Sequence, residues 1–96
     1  MVIGTSIIEL QLPGVHSLKE KRSAVKSLVL RVRKEFNASC SEIDHNDVWQ
    51  SSALGVAVVT TSAAHAQATL DNIVAWIEVN RPDVLVVDHS VEIIYR

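Results

Sequence analysis

Acidic side chains and one imidazole crowd the middle of the sequence at a spacing that could bind a divalent cation. The residues are Glu42, Asp44, His45 and Asp47, and carboxylate and imidazole groups are common metal ligands. Their spacing matches neither an EF-hand loop nor a zinc helix with paired histidines. Asp and Asn side chains also shape turns by bonding to nearby backbone, and Asn46 completes the run. We therefore predict a structural turn here and no metal site.

The rest of the sequence contains no arrangement typical of a catalytic or cofactor site. Cys40 is the only cysteine, so an intrachain disulfide is excluded. Its place in a predicted strand favours a buried, inert thiol. His16, His65 and His89 share no ligand spacing, and no Ser/His/Asp or Cys/His set stands out. We predict that the protein is not an enzyme and needs no cofactor.

Positive charge is concentrated in one segment of the chain. Seven of the nine Lys and Arg residues lie between Lys19 and Lys34, and Glu20 is the only acid among them. Seven positive charges less one negative charge give this segment +6, while the whole chain carries −2. A basic segment in an otherwise acidic protein is a candidate surface for an anion or an acidic partner.

This segment has the pattern of an amphipathic helix. Ser17 and Glu20 fit a capping box, in which each side chain accepts a hydrogen bond from the backbone amide of the other residue. Apolar residues then recur at helical period, namely Leu18, Val25, Leu28, Val29, Val32 and Phe36. At about 100° per residue, four cations line one flank beside this apolar stripe. We call these four the basic strip: Lys19, Arg22, Lys26 and Arg33.

Two interpretations of the basic strip stay open. Acids of the second helix or of the sheet could neutralise it, Asp71 and Glu78 being the nearest candidates. Alternatively it binds a phosphate backbone, and five engaged side chains would then give a salt slope of about −4 to −5. The candidate nucleic-acid or anion-binding residues are Lys19, Lys21, Arg22, Lys26 and Arg33.

The elements around this helix follow a strand–helix–strand rhythm that occurs twice. Strands are predicted over residues 2–12, 38–44, 52–61 and 84–95, and in the last one alternate residues from Leu85 to Tyr95 are expected to share a face. Ser62 is the predicted N-cap of the second helix, which stops before Arg81-Pro82 because the residue preceding proline avoids the α region. We predict one domain, residues 1–96, with a ferredoxin-like α+β sandwich: a four-stranded antiparallel sheet with both helices on one face.

Two helices cover only one face of such a sheet, yet the first strand is apolar on both faces. Ile3 and Ile7 alternate there with residues such as Ile8, whereas a face in water usually carries polar residues. We therefore predict a homodimer through the open face of the sheet. The alternative is a monomer in which small residues such as Gly55 and Ala57 make that face tolerant of water.

Several activities that this fold supports in other proteins are excluded by the residues. An RNA-recognition motif stacks bases on aromatic residues of the sheet, and residues 51–58 contain none. The first loop, residues 13–17, lacks the cysteine pair of heavy-metal chaperones and the arginine of acylphosphatases. Apolar runs are too short for a membrane span, and the N-terminus lacks the features of a signal peptide. We predict a cytoplasmic protein with no membrane or DNA partner.

Several short segments of the sequence together carry a family resemblance. They are Ser17-Leu18-Lys19-Glu20-Lys21-Arg22, Phe36-Asn37-Ala38-Ser39, then Glu42, Asp44, Asp47, Trp49-Gln50 and Gly55-Val56-Ala57. In these residues the chain resembles the YlxP-like family of short bacterial proteins, a domain of unknown function. The resemblance implies a ferredoxin-like fold, a bacterial origin and a gene neighbourhood shared with translation-initiation and ribosome-maturation factors. It implies no reaction and no catalytic residue.

These observations lead to one predicted function and two alternatives. We predict a non-enzymatic protein that docks RNA or a ribosomal surface through the basic strip. The first alternative is a dimeric regulatory module that binds a small ligand near Pro13-Gly14. The second is a protein–protein adaptor, with Leu30, Trp49 and Trp76 as candidate contact residues.

Overall fold

The computed structural model describes residues 1–45 and 47–96 and has the predicted ferredoxin-like α+β fold. Asn46, part of the predicted turn, lies outside the described residues. The six elements are β1 (Val2–Gln11), α1 (Leu18–Glu35), β2 (Ser39–Asp44), β3 (Ser51–Thr60), α2 (Ala63–Asn80) and β4 (Leu85–Tyr95). In the described part of the chain, neither helix combines the length and the apolar character needed to cross a membrane.

The four strands form one antiparallel sheet in the order β2-β3-β1-β4. β1 is central and pairs along its whole length with β3, from Val2 opposite Thr60 to Gln11 opposite Ser51. The backbone amide of Leu12 continues this pairing by donating to the carbonyl of Gln50 at 2.9 Å. β2 and β4 are therefore the two edges of the sheet.

Both helices pack on one face of the sheet, and the core lies between the two layers. Ile8 and Leu10 of β1 are fully buried there, as are Leu28 and Val32 of α1 and Leu70 of α2. These are the apolar positions that the helical and alternating patterns predict. The opposite side of the sheet, which neither helix covers, is called the open face below.

The helix ends agree with the sequence prediction except in one hydrogen bond. Ser17 Oγ accepts from the amide of Glu20 at 3.1 Å, and Ser62 Oγ accepts from the amide of His65 at 3.3 Å. Glu20 Oε2, however, accepts from the amide of His16 at 2.8 Å, one residue earlier than the amide that a capping box uses. The N-terminus of α1 is therefore fixed to the loop residue that precedes its cap.

The predicted alternation along the whole of β4 is wrong, because the strand contains a bulge. Glu9 pairs with Asp88 whereas Leu10 pairs with Val86, so Val87 is an extra residue. A bulge moves the following side chains to the other face. Leu85 and Val87 are consequently more than half exposed, while Val86 packs against the core.

Candidate functional site

A groove between α1 and the edge strand β2 brings most of the basic strip together. Its volume is about 290 Å³. The lining residues are Arg22, Val25, Lys26, Val29, Leu30, Arg33, Ser41 and Glu42. We call this depression the basic groove. Its floor is apolar, its walls carry three cations, and one carboxylate lies among the lining residues.

The cations of the basic groove have few partners within the protein. Arg33 Nε donates to the carbonyl of Cys40 at 2.9 Å. Among residues 1–45 and 47–96, no ion pair joins Arg22, Lys26 or Arg33 to a carboxylate. Asp71, one of the predicted neutralising acids, instead accepts from Gln67 at 3.1 Å. Pairing with acids of α2 therefore does not explain these cations, and they are available either to water or to a phosphate.

The single carboxylate of the groove is already bound to a buried lysine. Lys21 Nζ lies 2.6 Å from Glu42 Oε2, and the Lys21 side chain is completely buried. The same ammonium donates to the carbonyl of His45 at 2.7 Å. Ser52 Oγ donates to Glu42 Oε2 at 2.5 Å. Glu42 is held by these donors, so its charge is compensated beneath the groove and not by Arg22 or Lys26.

Lys21 was predicted as a candidate anion-binding residue, but its side chain is completely buried. On α1 it lies four residues before Val25 and seven before Leu28, within the apolar stripe that faces the sheet. Its ammonium is bonded to the Glu42 carboxylate and to the carbonyl of His45. Lys21 therefore contributes to the site from below, by neutralising Glu42, and does not contact a ligand at the surface.

Lys19 belongs to a different surface from the rest of the basic strip. It lines a depression of about 530 Å³ with Ser23, Arg81 and Asp83, on the side of α1 that faces the end of α2. Arg81 Nη2 donates to the carbonyl of Ala24 at 3.2 Å and to Asp83 at 2.8 Å. The basic strip is thus divided: three of its members share the groove, and Lys19 lies apart.

The three candidate contact residues have different surroundings, although Leu30 and Trp76 both neighbour Arg31. Leu30 is half exposed at the rim of the basic groove, and Trp49 is half exposed in the turn before β3. Trp76 is half-buried because it packs edge-on against Phe36, with ring centroids 6.3 Å apart, beneath the Arg31 guanidinium at 5.4 Å. The structure does not bring them into one contact surface.

Asp44 and His45, two residues of the predicted turn, have partners within the protein. Asp44 Oδ1 accepts from the amide of His45 at 2.8 Å, and His45 Nε2 lies 3.4 Å from Glu9 Oε2. His45 has a backbone φ of 62°, which is a turn conformation uncommon for residues other than glycine. In residues 1–45 and 47–96, no group of three or more His, Cys, Asp or Glu side chains could hold a metal ion.

Cys40 is buried on β2, opposite Val56 of β3. Burial raises the pKa of its thiol to about 11, although the nearby Arg33 charge acts in the opposite direction. A thiol with so high a pKa has almost no thiolate at neutral pH and is a poor nucleophile.

The sequence comparison identifies the family. The model of the family described as "Protein of unknown function (DUF503)" matches residues 3–91 of this chain. The chain belongs to the DUF503 family. It is also 36% identical, over 77 residues, to the "Uncharacterized protein YlxP" of Bacillus subtilis (strain 168), a match that covers 80% of this chain and 84% of that protein. The resemblance to YlxP-like proteins is therefore confirmed.

A solved structure supports the fold of this DUF503 protein. The de novo designed protein Foldit4 is similar to it with a TM-score of 0.55 and 11% sequence identity, over 100% of this chain and 99% of the designed one. At this identity the likeness concerns the fold alone.

In this DUF503 chain, two of the segments that carry the family resemblance meet at the basic groove. Lys21 and Arg22 come from the segment Ser17–Arg22 and Glu42 from the residues that follow Phe36–Ser39, and the Lys21–Glu42 pair joins them. The sequence missed this pairing because Lys21 was counted among the surface charges. The signal that could have found it is a lysine at a core position of the helical stripe, which requires a carboxylate partner.

Proposed function

We propose that this protein is a non-enzymatic cytoplasmic module that docks RNA, including the RNA of a ribosomal surface, through the basic groove. The observation that carries the proposal is that Arg22, Lys26 and Arg33 line one groove without an ion-pair partner among the described residues. Because Lys21 compensates Glu42 from below, the groove keeps the charge of all three cations.

The chemistry of the groove favours the phosphate backbone over the bases. Arginine presents a planar fork of donors that matches phosphate oxygens, and lysine adds a point charge. The groove, at about 290 Å³, is at the lower limit of small-molecule pockets and lies along an exposed helix. Contacts to phosphates give affinity and orientation with little sequence selectivity. We therefore expect binding that depends strongly on salt and weakly on sequence.

The apolar floor indicates how a strand could lie in the groove. Val25 and Val29 are buried at its base and Leu30 is half exposed at its rim. Such a floor accepts the sugar or the edge of an unpaired base while the cations hold the phosphates. Among the described strand residues of the open face, none is aromatic, so this face offers no platform for stacking. We therefore expect the helix, and not the sheet, to contact RNA.

The experiment measures the affinity for a labelled single-stranded RNA by fluorescence anisotropy at low salt. The test variant is Arg22→Gln/Lys26→Gln. The matched control is Arg31→Gln/Lys34→Gln, which removes one arginine and one lysine from the same helix outside the groove. We expect the test variant to lose about tenfold in affinity for each contact of about 1.4 kcal/mol and the control to lose much less.

Co-sedimentation with ribosomes extends the same comparison to a natural target. We expect the wild-type protein and the control variant to sediment with ribosomes and the test variant to remain in the supernatant. Equal losses in both double variants would show that only net charge matters. No binding of the wild-type protein at about 50 mM salt, where such contacts are strong, would end the proposal.

The alternative of a small-ligand site near Pro13-Gly14 receives no support from the geometry of that loop. Both residues are exposed, and no atom lies within 4 Å of the position that a Gly14 Cβ would occupy. The adaptor alternative stays a prediction. No observation in the described structure favours either alternative over RNA docking at the basic groove.

A further inference from the structure

We propose that the open face of the sheet binds a second copy of this chain, in a symmetric dimer whose two-fold axis runs parallel to the strands. The face exposes large apolar side chains: Ile7 is 47% exposed, Ile43 53% and Val59 63%. Ile3 and Ile94 lie beside them, half-buried. This inference does not rest on the proposed RNA docking, although the groove of the open face and the basic groove share Arg33 and Ser41 as lining residues.

The open face has a ridge beside a groove. On β1 the side chain of Ile7 projects from the face, and its partner across the strands is Gly55 on β3. Thr5 is likewise opposite Ala57. A groove of about 830 Å³ runs along these small residues. The Ile43 side chain lies over Gly55, with Cγ2 2.8 Å from the position that a Gly55 Cβ would occupy, and the groove continues beside it along Ala57 and Ser39.

A two-fold axis parallel to the strands makes this surface complementary to itself. This axis keeps the position of each residue along the strand direction and reverses the order of the strands. As a result, β1 of the second copy lies over β3 of the first. Ile7 of each copy then lies over β3 of the other, beside Ile43 and next to the groove along Ala57. An axis across the strands would instead place β1 on β1, with large side chains opposed and both grooves unfilled.

The same symmetry pairs opposite charges at the rim. Glu92 is level with Thr5 on β1, Ala57 on β3 and Ser39 on β2. Arg33 is bonded to the next residue of β2, Cys40, and it lines the groove of the open face. With β4 of one copy over β2 of the other, each Glu92 faces the other copy's Arg33. Two such pairs help to fix the relative orientation of the copies.

The area and the remaining charges indicate a weak dimer. Four strands at about 4.8 Å spacing and ten residues at about 3.3 Å give a face of roughly 600 Å² per copy, close to the lower limit of roughly 600 Å² per partner for stable interfaces. Glu9, Asp44 and Asp88 cluster at one end of the face and would meet their equivalents there. We therefore expect monomer and dimer to exchange, with the apolar end carrying the contact.

Sedimentation equilibrium over a series of concentrations tests the dimer. We expect the mass of the wild-type protein to rise from one chain to two, and Ile7→Lys to raise the dissociation constant at least about tenfold, a change of about 1.4 kcal/mol. Val79→Lys is the matched control, because Val79 is 80% exposed on α2, away from the open face. A wild-type mass that stays at one chain would falsify the inference, and so would a dimer that Ile7→Lys leaves intact.

Crosslinking tests the direction of the axis. Ser41 is opposite Gly55, Gly55 is opposite Ile7, and Ile7 is opposite Ser90, so Ser41 and Ser90 lie at the same position along the strands. The proposed axis therefore places Ser90 of one copy over Ser41 of the other. We expect a short bismaleimide to link a mixture of Ser41→Cys and Ser90→Cys chains and to leave each variant alone unlinked. The buried Cys40 thiol should not react. Efficient linking of Ser90→Cys alone would overturn the proposed axis.

The two proposals fail separately. Ile7→Lys leaves every lining residue of the basic groove in place, so a monomeric variant that still binds RNA would support both proposals. Arg22→Gln/Lys26→Gln leaves the open face unchanged, so loss of RNA binding in a chain that still dimerises would likewise assign each function to its own face.

Discussion

Lys21 Nζ lies 2.6 Å from Glu42 Oε2, and this pair ties the first turns of α1 to the edge strand β2. The lysine also donates to the carbonyl of His45, so one ammonium links the helix, the strand and the connection that follows it. A buried charge is costly unless it is paired and hydrogen-bonded. The pair satisfies that requirement and also removes the groove's carboxylate from competition with a bound anion.

Replacing Lys21 by methionine should destabilise the protein strongly. Lys21→Met keeps most of the volume but leaves the Glu42 carboxylate, whose side chain is only 19% exposed, without its cation. Breaking one half of a buried pair costs about 3–5 kcal/mol, and we expect a loss near about 3 kcal/mol because Glu42 is partly exposed. Urea unfolding followed by circular dichroism measures it, and Lys34→Met on the exposed side is the control, expected within about 0.5 kcal/mol.

The double variant Lys21→Met/Glu42→Leu separates the charge from the packing. It removes the stranded carboxylate, so we expect it to regain at least about half of the lost stability. If the double variant is as unstable as Lys21→Met alone, the loss comes from packing and the ion pair contributes little.

The salt dependence of the RNA affinity should correspond to three phosphate-binding cations, not five. Each phosphate neutralised contributes a slope of about 0.7 for single strands and about 0.9 for duplexes, so Arg22, Lys26 and Arg33 predict a slope between about −2 and −3. In Arg22→Gln/Lys26→Gln the slope should fall to about −1. Titrations at several salt concentrations measure it. A wild-type slope near −5 would mean that cations outside the groove, Lys19 among them, also bind phosphates.

The pair formed by Arg81 and Asp83 should give the protein part of its acid sensitivity. Arg81 Nε and Nη2 donate to the Asp83 carboxylate at 2.9 and 2.8 Å, and these hydrogen bonds lower the pKa of Asp83. Because the folded pKa lies below the unfolded value of about 3.9, this stabilisation is present above about pH 4 and is lost as the pH falls through the folded pKa.

Asp83→Asn should therefore be less stable than the wild-type protein at neutral pH, and the two stability curves should converge in acid. Unfolding at a series of pH values measures the difference, with Glu78→Gln on the exposed surface of α2 as the control. A difference that stays constant down to acidic pH would attribute the loss to shape or hydrogen bonding and not to the charge.

Gly4 should tolerate no side chain, because α2 lies directly over it. A Cβ at this position would be 2.9 Å from Ala66 Cβ and 3.1 Å from Leu70 Cδ1. Overpacking of this kind costs typically about 1–3 kcal/mol, so Gly4→Ala should lower the unfolding free energy by that amount. Gly14→Ala is the matched control: nothing lies within 4 Å of its Cβ position, and we expect a change within about 0.5 kcal/mol. Equal effects of the two substitutions would contradict the close contact.

Most of the fold follows from local patterns in the sequence. The apolar stripes of α1 and α2 and the caps at Ser17 and Ser62 specify the two helices, and Arg81-Pro82 ends the second. The bulge at Val87 could not be predicted, because Val84 to Val87 are all apolar and either register satisfies the alternation there. The contact with β1 selects the register in which Val86 is covered.

The candidate site could be predicted only in part, since it depends on contacts between distant segments. Helical geometry places Arg22, Lys26 and Arg33 on one flank. It does not show that this flank meets the edge of β2, nor that Lys19 lies beyond it beside Arg81. Lys21 was misplaced because its charge favours the surface, whereas its helical position lies in the apolar stripe and the partner that makes its burial acceptable, Glu42, is distant in the sequence.

Arg33 has a consequence for the behaviour of the chain in concentrated solution. The amide of Leu12 bonds to Gln50, so by antiparallel alternation the even residues of β3 bond to β1. Cys40, opposite Val56, therefore directs its carbonyl outward, where Arg33 Nε meets it. Exposed strand edges are templates for aggregation. At β2 a strand from another molecule would have to displace the guanidinium first, so the side chain that lines the basic groove also protects the protein against edge-to-edge aggregation.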